Sequence, residues 1–286
     1  MSTTTPFPPA PPAPPAPPAA PPPETRGASR VVAILTVALG CAIVIGAIGT
    51  AIFSTIAAAS VRTETQTLDV AGVNDLNVSV DAASLRIEFA DVPDATLEVT
   101  SGLGVGTWTL EREGDELTVA TPRRFGPGWI WGGEVRATLT LPRELEGTAL
   151  DATLDLSAGE LTVDGAFADL DIEVGAGTLT VDGAARTLIA DLSAGGADID
   201  LADVEEAAFS VSAGAVDARL TGTAPSAVTV DVSAGSLDLR LPEAAYDVRS
   251  DVSAGDFENG LRGEAGARNI VDVTVSAGTV TITEAR

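Results

Sequence analysis

From Thr63 to the C-terminus, apolar residues alternate with polar ones in short runs. The stretch "LDLSAGELTVDG", residues 154 to 165, is typical: Leu and Val occupy every second position on either side of a small-residue triplet. Alternation with a period of two indicates β-strands with one buried face, and no segment of this region has clear helical periodicity. The pattern therefore predicts an all-β domain over residues 63–286.

The triplet Ser-Ala-Gly, or a near copy, recurs along this domain at intervals of 18, 18, 19, 21, 20 and 23 residues. A repeat of about 20 residues is typical of stacked units, in which each unit buries its apolar face against the next. The repeated glycines are Gly159, Gly177, Gly195, Gly214, Gly235, Gly255 and Gly278.

Apolar residues stand three positions before and two positions after each repeated glycine. In the second repeat these are Val174 and Leu179. Positions five apart point to opposite faces of a regular strand. For both to be buried, the alternation must shift by one residue at the triplet, as it does at a bulge or corner. Glycine supplies the positive φ that such a corner often requires. We therefore predict a parallel β-solenoid, right-handed by the usual crossover rule, with an antiparallel sandwich as the alternative fold.

An uncharged run covers residues 31–59, "VVAILTVALGCAIVIGAIGTAIFSTIAAA". It is long enough to cross a bilayer as a helix, and we predict a transmembrane helix here. A cleaved signal peptide and a lipoprotein site at Cys41 are the alternatives, but the run is too long for the first and stays apolar after Cys41 for the second. Arg26 and Arg30 precede the run and favour a cytoplasmic N-terminus.

Residues 1–30 contain a proline-rich tract, "TPFPPAPPAPPAPPAAPPP". Such a tract cannot form a core, so we predict a disordered cytoplasmic arm. The expected arrangement is a single-pass protein of the bacterial plasma membrane, with the β-domain outside.

Composition excludes several classes of function. The chain has no histidine and one cysteine, and its 16 basic residues are all arginine. This removes Ser-His-Asp and Cys-His nucleophile pairs, Schiff-base lysines and Cys/His zinc sites, and a disulfide framework is impossible. The formal net charge is −25, so nucleic-acid binding is not expected. We expect no cofactor and no enzymatic activity.

Acidic residues form columns when the repeats are aligned on their glycines. One column includes Asp155, Glu173 and Asp191, and another begins with Asp164 and Asp182. Calcium between coils would relieve their repulsion, but solenoid calcium loops have a nine-residue period, which is half of this one. We therefore interpret the columns as a solvated face and predict no metal site.

The segment "RRFGPGWIWGG", residues 123 to 133, interrupts the alternating pattern. It places Arg123, Arg124, Phe125, Trp129 and Trp131 in one loop, and Trp and Arg are common interface anchors. These five residues are the predicted binding site. The alternative is a loop that covers the end of the first coil.

The recurring "S-A-G-x-L/V-x-V/L" corners, together with strands ending in Leu-Pro at 142 and 242, resemble the bacterial toast-rack putative adhesin family. The resemblance covers about residues 68 to 286. It implies a β-solenoid envelope protein that is adhesin-like or associated with envelope stress, and it supplies no catalytic residues. A non-catalytic binding or scaffold domain that engages an envelope protein or a glycan is the predicted function. The alternative is a calcium-dependent β-helix enzyme acting on cell-surface polysaccharide.

Overall fold

In a computed structural model of the chain, the structure describes residues 62–101, 107–122, 135–147 and 150–285. These residues form strands and a short 3-10 helix at Arg143–Gly147. The strands are β1 (Arg62–Leu68), β2 (Asp75–Ala90), β3 (Ala95–Ser101), β4 (Thr109–Glu113), β5 (Glu116–Ala120), β6 (Arg136–Pro142), β7 (Asp151–Ala202), β8 (Glu206–Thr221), β9 (Ala227–Val232), β10 (Ser236–Leu241), β11 (Ala245–Val252), β12 (Asp256–Asn259), β13 (Arg262–Gly263), β14 (Asn269–Val275) and β15 (Thr279–Glu284).

The predicted all-β class is confirmed for the described part of the chain. The predicted arm at 1–30 and the predicted membrane helix at 31–59 both lie outside the described residues. Within residues 62–101, 107–122, 135–147 and 150–285, no helix has the length and apolar character needed to cross a bilayer.

Most strands pair in parallel with the strand one repeat away. Gly195 of β7 lies opposite Gly214 of β8, and Val211 of β8 lies opposite Val232 of β9. Neighbouring repeats therefore stack as coils, each with one strand before its Ser-Ala-Gly triplet and one strand after it. We call these two sides of a coil the first wall and the second wall.

The apolar columns predicted from the sequence form the core. Three positions before the glycine, Leu156, Val174 and Val232 are fully buried, and two positions after it Leu161 and Leu179 are as well. The phase change at the triplet is visible in the pairing of β2 with β7, whose register shifts on both sides of Asp81. Burial of both columns requires this irregularity, because a regular strand would turn one of them toward solvent.

The glycines of the triplets form a continuous column in which successive backbones nearly touch. A Cβ atom added to Gly177 would lie 2.7 Å from the carbonyl oxygen of Gly159, and one added to Gly214 would lie 2.8 Å from that of Gly195. The φ angle is left-handed at Gly159 and Gly195 (110° and 106°) but not at the other five. Close approach, more than positive φ, is thus what the seven positions share.

The last two coils stack in a different order from their order in the sequence. We call β14 and β15 the inserted coil, and β11 and β12 the terminal coil. Strand β14 pairs with β9 on one side and β11 on the other, and β15 pairs likewise with β10 and β12. The C-terminal segment therefore lies between two coils that precede it in the sequence, rather than adding to the end of the stack.

The terminal coil carries polar residues in columns that are apolar elsewhere. Asn259 breaks one such column, and its side-chain oxygen accepts a hydrogen bond from the Leu261 backbone N–H (2.9 Å). Tyr246 begins this coil fully buried and donates its hydroxyl to the Pro242 carbonyl (2.8 Å). Burial, and then the charge of Glu284, raise the pKa of Tyr246 to about 12. These polar residues are placed to close the end of the core.

The opposite end of the stack is closed by antiparallel strands. Strands β5 and β6 pair in parallel with the two halves of β2 and form the coil next to it. On the outer side of this coil, β4 pairs antiparallel with β5, β3 pairs antiparallel with β6, and β1 pairs antiparallel with β3. We call β1, β3 and β4 the cap strands, and the β5–β6 coil the loop-bearing coil.

Two adjacent glycines allow a position in the glycine column to be compared with one outside it. A Cβ at Gly195 would collide with the Gly177 carbonyl oxygen, and its φ is left-handed, whereas a Cβ at Gly196 meets nothing closer than 3.8 Å. We predict that Gly195→Ala lowers the free energy of unfolding by about 1–3 kcal/mol and that Gly196→Ala changes it by less than about 0.5 kcal/mol. Denaturant unfolding of the two full-length variants, followed by tryptophan fluorescence, tests this. Equal effects at the two positions would contradict the column.

Candidate functional site

The five predicted binding residues, Arg123, Arg124, Phe125, Trp129 and Trp131, lie outside the described residues. The structure does describe both ends of the segment that carries them. It leaves the loop-bearing coil after Pro122 and returns at Val135.

These two ends occupy the corner of the loop-bearing coil. Strand β5 ends at Ala120 opposite Ser79 of β2, and β6 begins at Arg136 opposite Ser84. Between Ser79 and Ser84, strand β2 turns its own corner, at which Ala83 lies opposite Gly159 of the next coil. The described residues that flank 123–134 therefore lie at the position where other coils have Ser-Ala-Gly.

Hydrogen bonds to β2 hold the described residues at both ends of the segment. The Thr121 backbone N–H donates to the Ser79 carbonyl (3.0 Å), and the Ser84 N–H donates to the Val135 carbonyl (2.9 Å). The Asp81 backbone N–H donates to the Thr121 side-chain oxygen (2.8 Å). Thr121 is itself buried, so both ends of the segment begin from fixed positions.

The corner of β2 beneath this segment has an unusual backbone. Ala82 adopts a left-handed φ of 53°, a conformation that non-glycine residues rarely occupy and that costs of order 1 kcal/mol. Pairing on both sides holds it there, because β2 lies between the loop-bearing coil and β7.

The described residues on either side of a second segment, 102–106, lie near the same corner. Thr100, near the end of β3, lies opposite Arg136, where the first segment returns. Thr109, at the start of β4, lies opposite Ala120, where the first segment leaves. This second segment is absent from the sequence-based prediction of the site. Its available signal was the glycine-rich stretch "SGLGVGT", residues 101 to 107, which interrupts the alternating pattern.

The third tryptophan of the chain, Trp108, lies at the base of the second segment. It is 3% exposed, and its carbonyl accepts a hydrogen bond from the Gln66 side-chain amide (2.9 Å). Its buried indole Nε1 has no hydrogen-bond partner among the described residues. Trp108 therefore links β1 and β4 at the capped end through packing and one backbone contact.

Carboxylates gather on the first wall of the same coils, at the end of the strands farther from this corner. Asp75 of β2 lies opposite Glu116 of β5 on one side and Asp151 of β7 on the other. Desolvation, followed by repulsion from Glu116, Asp151 and Asp115, raises the pKa of Asp75. No group of three or more His, Cys, Asp or Glu side chains among the described residues is arranged to hold a metal ion. The row is acidic surface on the same coils that support the loop.

Comparison with known proteins finds neither a family model nor a curated protein that matches the chain. Solved structures do match over most of its length. A "putative adhesin" from Bacteroides fragilis is 12% identical, covering 78% of this chain and 97% of its own, with a TM-score of 0.43. A "putative cell adhesion protein" from Clostridium sporogenes (12% identity, 79% and 100% coverage) has a TM-score of 0.33. A "putative lipid binding protein" from Parabacteroides distasonis (14%, 77% and 96%) has a TM-score of 0.39.

Two of these structures are named as adhesins or adhesion proteins, like the family that the sequence resembles. The toast-rack resemblance is confirmed to the extent that putative adhesins are among these neighbours. At 12–14% identity and TM-scores below 0.5, the likeness carries no argument about what this chain binds. That question rests on the site described above.

The hydroxyl of Thr121 can be removed without changing the shape of the side chain. Thr121→Val leaves the half-buried Asp81 N–H without its acceptor, and we predict a loss of about 1 kcal/mol or more in the free energy of unfolding. Thr121→Ser keeps the oxygen, loses one methyl group and should cost about 0.8 kcal/mol. Denaturation of both variants, with hydrogen exchange at the Asp81 amide, measures the difference. A valine variant as stable as the serine variant would show that this bond does not hold the loop base.

Proposed function

We propose that the protein is a non-catalytic binding protein of the bacterial envelope. The 31–59 segment anchors it in the plasma membrane, the proline-rich residues 1–30 lie in the cytoplasm, and the β-domain stands outside as a right-handed solenoid. Its partner, an envelope protein or a glycan, is engaged by the side chains of residues 123–131.

One observation carries the binding role: the described residues on either side of 123–134 lie at a corner that other coils form with three small residues. These residues are paired to β2 and hydrogen-bonded through Thr121 and Val135. Loops on a rigid scaffold are favoured positions for recognition, because the scaffold fixes their ends while their side chains remain available. The segment also concentrates two tryptophans and two arginines in a strongly acidic chain.

The surface of the described coils supports a binding role over catalysis. Its charged side chains form even rows along the stack, such as Asp217 with Asp238 and Arg219 with Arg240. Hydrolysis of a glycosidic bond needs two carboxyl groups with separated pKa values across a cleft. The described carboxylate with a raised pKa, Asp75, sits instead in a solvent-facing row.

The membrane anchor rests on sequence chemistry. Residues 31–59 carry no charge over 29 positions, and a helix of this length exceeds the thickness of the hydrocarbon core. Arg26 and Arg30 on its N-terminal side favour retention of that side in the cytoplasm.

Photo-crosslinking in cells tests the binding role. A photoreactive phenylalanine analogue at position 125 of the full-length chain should form adducts in the native bacterium. Trp129→Ala with Trp131→Ala should abolish these adducts, because the anchoring side chains are gone, while the melting temperature changes little. Sensitivity of the adducts to protease or to glycosidase would distinguish a protein partner from a glycan.

The matched control is Ile189→Ala, since Ile189 is an exposed apolar residue (41% exposed) on the middle coils. It should leave the adducts unchanged. A well-folded double tryptophan variant with undiminished adducts would refute the proposed site. Joint loss of adducts and of stability would instead identify the segment as a cover for the end of the coil.

A further inference from the structure

The terminal coil has a free edge on its first wall. Strand β13 pairs with β11 only at Ala245 and Tyr246, and no other described strand lies on that side. In parallel pairing, the N–H and C=O of one residue face the same neighbour, and successive residues alternate between neighbours. The Ser253 N–H donates inward to Val275 (2.9 Å), whereas the Tyr246 carbonyl accepts on the outer side from Glu264 (2.8 Å).

This alternation fixes which backbone groups face the free edge. Tyr246 bonds outward, so Val248, Ser250 and Val252 do as well. Their side chains continue the inward columns of the core. Val252 is 39% exposed, although Val275 and Val232 in the same column are fully buried. The free edge therefore combines unpaired backbone groups with uncovered apolar surface.

The sequence of this edge is complementary to itself in one antiparallel register. With Ser250 opposite Ser250 of a second copy, Val248 lies opposite Val252 and Arg249 lies opposite Asp251. The even-numbered residues, whose backbone groups face outward, then form the hydrogen-bonded pairs. Each Arg249–Asp251 pair places opposite charges on neighbouring strands, which is favourable.

Neighbouring registers lack this complementarity. A shift of two residues in one direction puts Asp251 opposite Asp251, and a shift in the other puts Arg249 opposite Arg249. Like charges directly opposite each other destabilise a strand pair. On the second wall, Asp256 and Glu258 flank Phe257, so an equivalent antiparallel pairing there would oppose carboxylates.

We propose that the occupant of this edge is a second copy of the chain, paired antiparallel through β11 residues 248–252 about a two-fold axis at Ser250. Such an interface is isologous, since each copy contributes the same strand. It lies at the end of the coil stack opposite the cap strands, and it is independent of the proposed loop partner.

A cysteine at the two-fold axis reports the pairing directly. Directly opposite residues of a hydrogen-bonded antiparallel pair have Cα atoms about 5.5 Å apart, within the range that a disulfide spans. Ser250→Cys in a full-length Cys41→Ser background, solubilised in detergent and mildly oxidised, should yield a disulfide-linked dimer. Thr229→Cys is the control, because Thr229 is an exposed strand residue of β9 away from this edge.

Charge reversal tests the register. In the Ser250→Cys background, Arg249→Asp or Asp251→Arg alone puts like charges opposite each other in both symmetry-related pairs. The rate of cross-linking should fall by roughly tenfold in each case. Mixing the two differently tagged variants restores both opposite-charge pairs, so cross-linking should return as the heterodimer.

Using both Arg249→Asp and Asp251→Arg distinguishes a lost charge pair from a misfolded variant. Arg249→Asp also removes the contacts of Arg249 to Asp247 (3.0 Å) and Asp272 (3.8 Å), whereas Asp251→Arg keeps them. Heterodimer recovery on mixing shows that both variants are folded. The proposal would be overturned if the Ser250→Cys variant cross-linked no faster than the Thr229→Cys variant, or if Asp251→Arg left the rate of cross-linking unchanged. The charged residues of this edge would then serve to prevent association between copies.

Discussion

The close approach of backbones along the glycine column is the constraint on which the coil stack depends. From Gly159 to Gly278 each triplet glycine leaves room for the carbonyl of its neighbour, and a methyl group at any of these seven positions would meet that oxygen at 2.8 Å or less. The apolar columns on the two walls can be buried together only if the chain changes phase here. Small residues at the corner therefore allow both the hydrogen-bonded stacking of the coils and the continuous core.

The two ends of the stack follow from the same constraint. Each end exposes backbone groups that the next coil would have paired, and an uncovered strand edge invites association. Cap strands cover the end that carries the loop, whereas the other end has only β13 and a coil enriched in polar and charged residues. The capped end thus holds Thr121 and Val135, which flank residues 123–134, and the partly covered end leaves a short strand free to pair.

Much of the fold could be predicted from the sequence because period-two burial and the repeated triplet are local patterns. The inward columns at Leu156 and Leu161 are examples. The corner at Ala83 was missed because "DAAS" lacks the glycine. A further close approach, of Gly183 to the backbone of Gly165 in two "VDGA" stretches, also went unrecognised. Both signals were present in the sequence.

The order of the last coils could not be read from the repeat. The Ser-Ala-Gly pattern specifies which residues of two coils align, but every coil presents the same columns, so any two of them could be neighbours. The candidate site shows a similar limit. The composition of residues 123–133 marked it, but the pairings that bring its described flanks to a corner join strands that are distant in sequence.

Disulfide cross-linking between coils tests the stacking order most directly. Asp238 lies opposite Thr281, and Thr281 lies opposite Glu258 on its other side. Asp238 and Thr281 are therefore on adjacent strands, about 4.8 Å apart. In a Cys41→Ser background, cysteines at 238 and 281 should form an intramolecular disulfide, whereas cysteines at 238 and 258 are about 9.6 Å apart and should not. Rapid cross-linking of 238 with 258, and none of 238 with 281, would mean that the coils stack in sequence order and would contradict the inserted C-terminal coil.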